Sequence, residues 1–214
     1  MELKDKNTAE VVAKNLLHIK AIKLNPGAPF TWASGWKSPI YCDNRLSLSY
    51  PSVRNLILEK LVKLIQTHFL NIEAVAGVAT AGIPQGALIA DRLNLPFLYV
   101  RSKPKGHGME NMIEGKITAG QKIVVVEDLV STGGSSLKAV RDLKKAGFEV
   151  LGMVAIFTYG FDIAAQNFEK ESVKLVCLSD YDSLLPVALA EKYISDTDMS
   201  TLSQWRRHPE KWGQ

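Results

Sequence analysis

Ile123-Val124-Val125-Val126-Glu127-Asp128-Leu129-Val130-Ser131-Thr132-Gly133-Gly134-Ser135 decides the architecture. An apolar run, too short for a helix of its own, meets two acids. A turn of small residues follows, and then a helical pattern over residues 132–146, closed by Gly147. This is a strand feeding a helix. The same alternation extends outward in both directions. Strands are predicted over 74–78, 97–101, 122–127, 150–157 and 173–178, and helices over 51–69 and 83–93. Strands alternating with helices predict an α/β domain whose parallel sheet is covered on both faces.

The flanks read differently. Residues 8–24 carry Ala9, Val12, Ala13, Leu16 and Leu17 at helical spacing, with Asn7 or Thr8 as N-cap and Pro26-Gly27 as the stop. Residues 30–44 mix aromatics with Ser34-Gly35 and Ser38-Pro39, which predicts short strands around turns. Residues 102–120 hold five glycines or prolines, many charges and no periodicity. A loop of that length inside a compact domain is usually functional or disordered. His18 and His68 fall on predicted helices as surface or boundary residues. The segment Trp205-Arg206-Arg207-His208-Pro209 is expected to dock on the core at a helix end.

Composition narrows the class. The chain has 214 residues, a net charge of +4, 46% hydrophobic and 22% charged residues. These are ordinary globular values, and one domain over 1–214 is expected. The mean hydropathy is near zero. No stretch matches a membrane span, so no membrane partner is expected. The charge is too small to argue for nucleic acid, and none is expected. Two cysteines, Cys42 and Cys177, are too few for a disulfide framework, so the expected compartment is the cytoplasm.

The chemistry concentrates at the first stretch. Small residues at a helix start present backbone N–H groups and admit a phosphate close to the chain. Glu127 and Asp128 cannot bind that phosphate; they suit sugar hydroxyls or a divalent cation. The combination points to a phosphorylated sugar. A plain capping role for Asp128 is the bland alternative. Gly-Lys-Ser/Thr is missing, so this is no Walker loop, and G-x-G-x-x-G is missing too.

Residues 124–135 resemble the phosphoribosyl diphosphate (PRPP) signature of type I phosphoribosyltransferases. Two further segments are similar to orotate phosphoribosyltransferases. Phe30-Thr31-Trp32-Ala33-Ser34-Gly35-Trp36-Lys37-Ser38-Pro39-Ile40-Tyr41-Cys42-Asp43-Asn44-Arg45 matches their N-terminal segment, and Arg101-Ser102-Lys103-Pro104-Lys105-Gly106-His107-Gly108 their mobile catalytic loop. The resemblance implies a type I phosphoribosyltransferase fold: a central, mostly parallel sheet flanked by helices, with a small N-terminal hood from residues 1–50 and a catalytic loop at 102–120. It implies transfer of the phosphoribosyl group from PRPP to orotate, giving orotidine 5′-monophosphate and pyrophosphate in pyrimidine biosynthesis. It also implies Mg²⁺ bound mainly through PRPP, with no protein metal site, and a homodimer whose loops reach the neighbouring site.

That reaction needs cations at the leaving diphosphate and anions or hydroxyl contacts at the ribose. The resemblance assigns PRPP to Arg101, Lys103, Lys105, His107, Glu127, Asp128, Leu129, Val130, Ser131, Thr132, Gly133, Gly134 and Ser135. It assigns catalysis to Lys105, His107 and Asp128, and orotate to Ser131. Lys37 and Arg45 are further candidates for the orotate carboxylate. The chain departs from the family pattern at Ala33 and Ala81, where many members carry lysine, at Tyr41-Cys42, and in residues 156–160, which lack an arginine. Rival readings are a purine-type phosphoribosyltransferase and a PRPP-sensing regulator that binds nucleic acid.

Overall fold

The structure is a computed structural model and describes residues 2–3, 5–32, 35–103 and 112–212. Strand β1 (Glu2–Leu3) precedes helix α1 (Lys6–His18). Strands β2 (Ile22–Leu24), β3 (Phe30–Thr31), β4 (Lys37–Ser38) and β5 (Ile40–Cys42) follow, then a 3₁₀ turn (Asn44–Ser49) and α2 (Pro51–His68). Next come β6 (Ala74–Val78), α3 (Gly82–Leu93), β7 (Phe97–Val100) and β8 (Ile113–Glu114). The second half runs β9 (Lys122–Val130), α4 (Gly134–Lys145), β10 (Glu149–Thr158), α5 (Asp162–Lys170), β11 (Leu175–Asp180), α6 (Tyr181–Ala190) and α7 (Asp196–Arg207).

The main sheet has the order β1-β11-β10-β9-β6-β7-β8. All its pairs are parallel except β7 with β8. The expected parallel core is therefore present. Alternating residues of β9 supply two separate cores. Val124 and Val126 pack with α1, α2, α6 and α7, whereas Ile123 and Val125 pack with α4 and α5. Five strands of the sheet were legible as apolar runs because both faces are covered.

The first helix is a correction. It ends at His18, not at residue 24, and Asp5 rather than Asn7 or Thr8 caps it, accepting from the Thr8 amide at 3.0 Å. Lys20 adopts a left-handed φ of 57°, which turns the chain out of the helix. Ile22 and Leu24 then pair with Cys42 and Ile40 across an antiparallel ribbon. A second ribbon joins β3 to β4. These ribbons fulfil the strand-and-turn expectation for residues 30–44. Within residues 1–50, β1 instead extends the main sheet, and α1 packs on β11 and α6.

Two details place the site. The sheet changes direction between β6 and β9: from β6 the chain crosses to β7, and from β9 to β10 on the other side. A crevice outside the carboxyl ends of the strands forms at such a switch point. Also, β9 runs on to Val130, so the acid pair lies within the strand rather than beyond it. Its ladder to β6 stops at Gly77↔Val126, while its ladder to β10 continues to Val130↔Thr158. Gly82 packs the start of α3 so closely on β9 that a Cβ there would collide with the Val126 carbonyl.

Candidate active site

The β9–α4 turn is held from outside. The Val130 carbonyl accepts from Thr158 Oγ1 at 3.0 Å, and the Thr132 carbonyl accepts from Asn167 Nδ2 at 3.0 Å. Gly133, at φ +81°, is the N-cap of α4, and no side chain caps the helix. A helix start with small residues and no side-chain cap offers its N–H groups to an anion. Residues 130–135, the expected phosphate segment, span the end of β9, this turn and the start of α4.

The two acids have different environments. Glu127 is buried and accepts from Ser136 Oγ at 3.0 Å and from the Asp128 amide at 3.1 Å. Burial pushes its carboxyl well above the usual carboxylate range, and the Asp128 charge adds to the rise. Burial also raises Asp128, but less, and a side-chain hydrogen bond from Glu127 pulls it back down. Of the pair, Glu127 holds a proton more readily. Asp128 is half-buried, and its field reaches Cys42, Tyr159 and Arg45.

Beside it lies a cavity of about 270 Å³ lined by Thr31, Trp32, Tyr41, Cys42, Leu129, Ser131 and Tyr159. Trp32 and Tyr159 stand 4.9 Å apart, tilted by 30°, and the Trp32 indole donates to the Ile40 carbonyl at 3.1 Å. Trp205, fully buried on α7, meets both rings edge-on and fulfils the expected docking of the C-terminal segment. The volume and the flat aromatic walls suit a single heterocycle. Lys37 Nζ donates to Thr31 Oγ1 at 2.8 Å, at the wall of this cavity. Arg45 is instead engaged by Asp43 through two contacts of 2.6 and 2.9 Å.

Arg101 stands at the end of β7, two strand positions from β9, a separation of about 10 Å. Its guanidinium pairs with Glu114 at 3.1 Å and donates to the Lys103 carbonyl at 3.2 Å. Lys103 is exposed. Lys105 and His107 lie outside the described residues, as do Ala33 and Ser34. Among the described residues, no group of three His, Cys, Asp or Glu side chains could hold a metal.

Tyr159 was not singled out from the sequence, and Leu129, expected at PRPP, lines the aromatic cavity instead. The signal for Tyr159 is the alternation Phe157, Tyr159, Phe161, which carries the strand period past the end of β10.

The comparisons agree with this geometry. The phosphoribosyl transferase domain model matches residues 50–191. The orotate phosphoribosyltransferase of Cytophaga hutchinsonii is 61% identical over 206 residues, covering 96% of this chain and 99% of that protein. That of Listeria monocytogenes is 57% identical over 202 residues, covering 94% and 97%. Among solved structures, orotate phosphoribosyltransferase from Aeropyrum pernix superposes with a TM-score of 0.74 at 29% identity, covering 86% of this chain and 99% of that one. Leishmania donovani UMP synthase gives 0.77 at 27% identity, covering 94% of this chain and 43% of its own. With a family model across most of its length and relatives of this identity end to end, the chain belongs to the orotate phosphoribosyltransferases of the type I phosphoribosyltransferase family.

Proposed function

We propose that the chain transfers the 5-phosphoribosyl group of PRPP to orotate at the crevice between β6 and β9. The carrying observation is that an uncapped helix start, the half-buried Asp128 carboxyl and an aromatic cavity adjoin at one strand end. The 5′-phosphate takes the N–H groups of residues 131–135. Asp128 accepts from the ribose hydroxyls, with the more deeply buried Glu127 behind it. Orotate lies against Trp32 and Tyr159, and the Ser131 hydroxyl meets its edge. Lys37 faces its carboxylate, since Arg45 is already neutralised by Asp43.

In the transfer, orotate N1 bonds to the ribose C1′ as the C1′–oxygen bond to the diphosphate breaks. Pyrophosphate leaves with the electron pair, and the N1 proton passes to water. The ribose is cationic in between, so the Asp128 charge is worth most at that moment. Positioning carries the rest; no side-chain base is required. Lys105 and His107, with Arg101 and Lys103, are proposed at the diphosphate, on the sequence resemblance.

Two carboxylates, one of them turned to Ser136, cannot build a full oxygen shell for a divalent ion. They fit Mg²⁺ that arrives on the diphosphate, with Asp128 as the side chain available to touch it. Bound there, Mg²⁺ would supply neutralising charge to the departing oxygens. Cytoplasmic location is proposed on the two free cysteines. The homodimer is proposed on the family resemblance. Among the described residues, no helix is long and apolar enough to cross a membrane.

The test is a base panel. Pyrophosphate should appear with orotate, PRPP and Mg²⁺ together, and not with adenine or hypoxanthine in place of orotate. Turnover of a purine but not orotate would overturn the proposal.

A further inference from the structure

We infer that Asn44 is a positioning residue for this transfer, because its amide holds the main chain of Asp128 in place at the edge of the base cavity. The inference rests on the role proposed above for Asp128. The β6 ladder ends at Gly77↔Val126, so the Asp128 carbonyl lies past the last β6 partner. Asn44, from the turn 84 residues earlier, supplies the missing donor: its Nδ2 donates to that carbonyl at 2.8 Å.

Asn44 is itself fixed on every side. It is 1% exposed. Its Oδ1 accepts from the Cys42 thiol at 3.4 Å, and its carbonyl accepts from Ser47 Oγ at 2.7 Å. Ser47 in turn accepts from Gln85 Nε2 of α3 at 3.4 Å. The network therefore joins α3, a cavity-lining thiol and the main chain of Asp128. Burying an amide is costly unless its hydrogen bonds are made, and an apolar side chain would fill the same space more cheaply. What the amide adds is a fixed Asp128 backbone. A carboxylate displaced by a fraction of an ångström no longer meets the developing charge, because electrostatic stabilisation depends on groups already in place.

The test separates positioning from packing. Asn44→Ala should slow the single-turnover rate at least tenfold, while the Kd values for PRPP and orotate change less than threefold. Asn44→Asp keeps the volume but loses the donor, and should show the same loss if the alanine variant fails to fold. The decisive arm is the double variant with Asp128→Asn. If Asn44 acts through Asp128, adding Asn44→Ala to Asp128→Asn should cost less than a further twofold. Losses that multiply, or a rate for either Asn44 variant within twofold of wild type, overturn the inference alone. Full turnover by Asp128→Asn overturns the assignment of Asp128 and the inference with it.

Discussion

Gly133→Ala strikes the phosphate turn without touching a charge. The residue sits at φ +81°, where an L side chain costs about 1–2 kcal/mol. Its new Cβ would lie 2.8 Å from Cε2 and 3.2 Å from Cδ2 of Phe168, a ring that is itself buried. Overpacking of that kind costs about 1–3 kcal/mol. Together the strain is about 2–5 kcal/mol, and it has two outlets. If the turn holds its shape, the melting temperature falls by roughly 4–20 °C for a chain of this size. If the turn relaxes, the N–H groups of 131–135 lose their common aim, and the Kd for PRPP rises about tenfold or more. Differential scanning fluorimetry and calorimetric titration read the two outlets separately. Gly134→Ala is the control, since its Cβ would meet only Thr132 Oγ1, at 3.9 Å, and its melting temperature should not fall. A Gly133→Ala protein with unchanged melting temperature and unchanged PRPP affinity would refute the account of this turn.

Glu127 makes stability depend on pH. Its folded pKa is raised above the usual value of 4.5 by burial, so the folded state binds the extra proton. Its contribution is complete below the unfolded pKa and is lost as pH rises through the folded one. Glu127→Gln should flatten that decline in a series of melts from pH 4 to 8; an unchanged slope argues against it. Ser131→Ala should raise the KM for orotate more than that for PRPP, because the hydroxyl is lost while the backbone N–H groups remain; equal effects would confine Ser131 to the phosphate turn. Trp205→Ala should destabilise the chain by about 3–5 kcal/mol in urea melts, because a fully buried ring contacting Trp32, Tyr159, Phe161 and Tyr181 is removed. Mixing the impaired Lys105→Ala and Asp128→Asn chains should restore wild-type turnover to about a quarter of the sites if a loop serves its partner's site in a two-fold dimer; subunit exchange without recovered turnover rejects that arrangement.

The core strands were legible because a strand covered on both faces must be apolar throughout, as Ile123–Val126 and Ala74–Val78 are. Residues 8–24 misled because no glycine or proline interrupts them before Pro26-Gly27. The break depends on Lys20 entering a left-handed conformation that no glycine announces. Helices α5 and α6 were missed. The first is short, at nine residues, and Pro186 lies inside the second. At the site, the phosphate turn follows from local chemistry and was visible in a dozen consecutive residues. The cavity was not, since it joins Trp32 and Cys42 to Ser131 and Tyr159, residues whose nearness depends on the fold. The unequal roles of Glu127 and Asp128 were hidden for the same reason. Alternation along β9 sends one to Ser136 and the other toward Cys42, and burial together with their mutual interaction raises Glu127 further than Asp128.

A crystal structure with orotidine 5′-monophosphate bound tests the central claim most directly. The account predicts the phosphate on the N–H groups of residues 131–135, the ribose hydroxyls on Asp128, and the pyrimidine in the cavity against Trp32, Tyr159 and Ser131 with its carboxylate toward Lys37. A nucleotide whose phosphate lies away from the start of α4, or whose base lies outside that cavity, would contradict it.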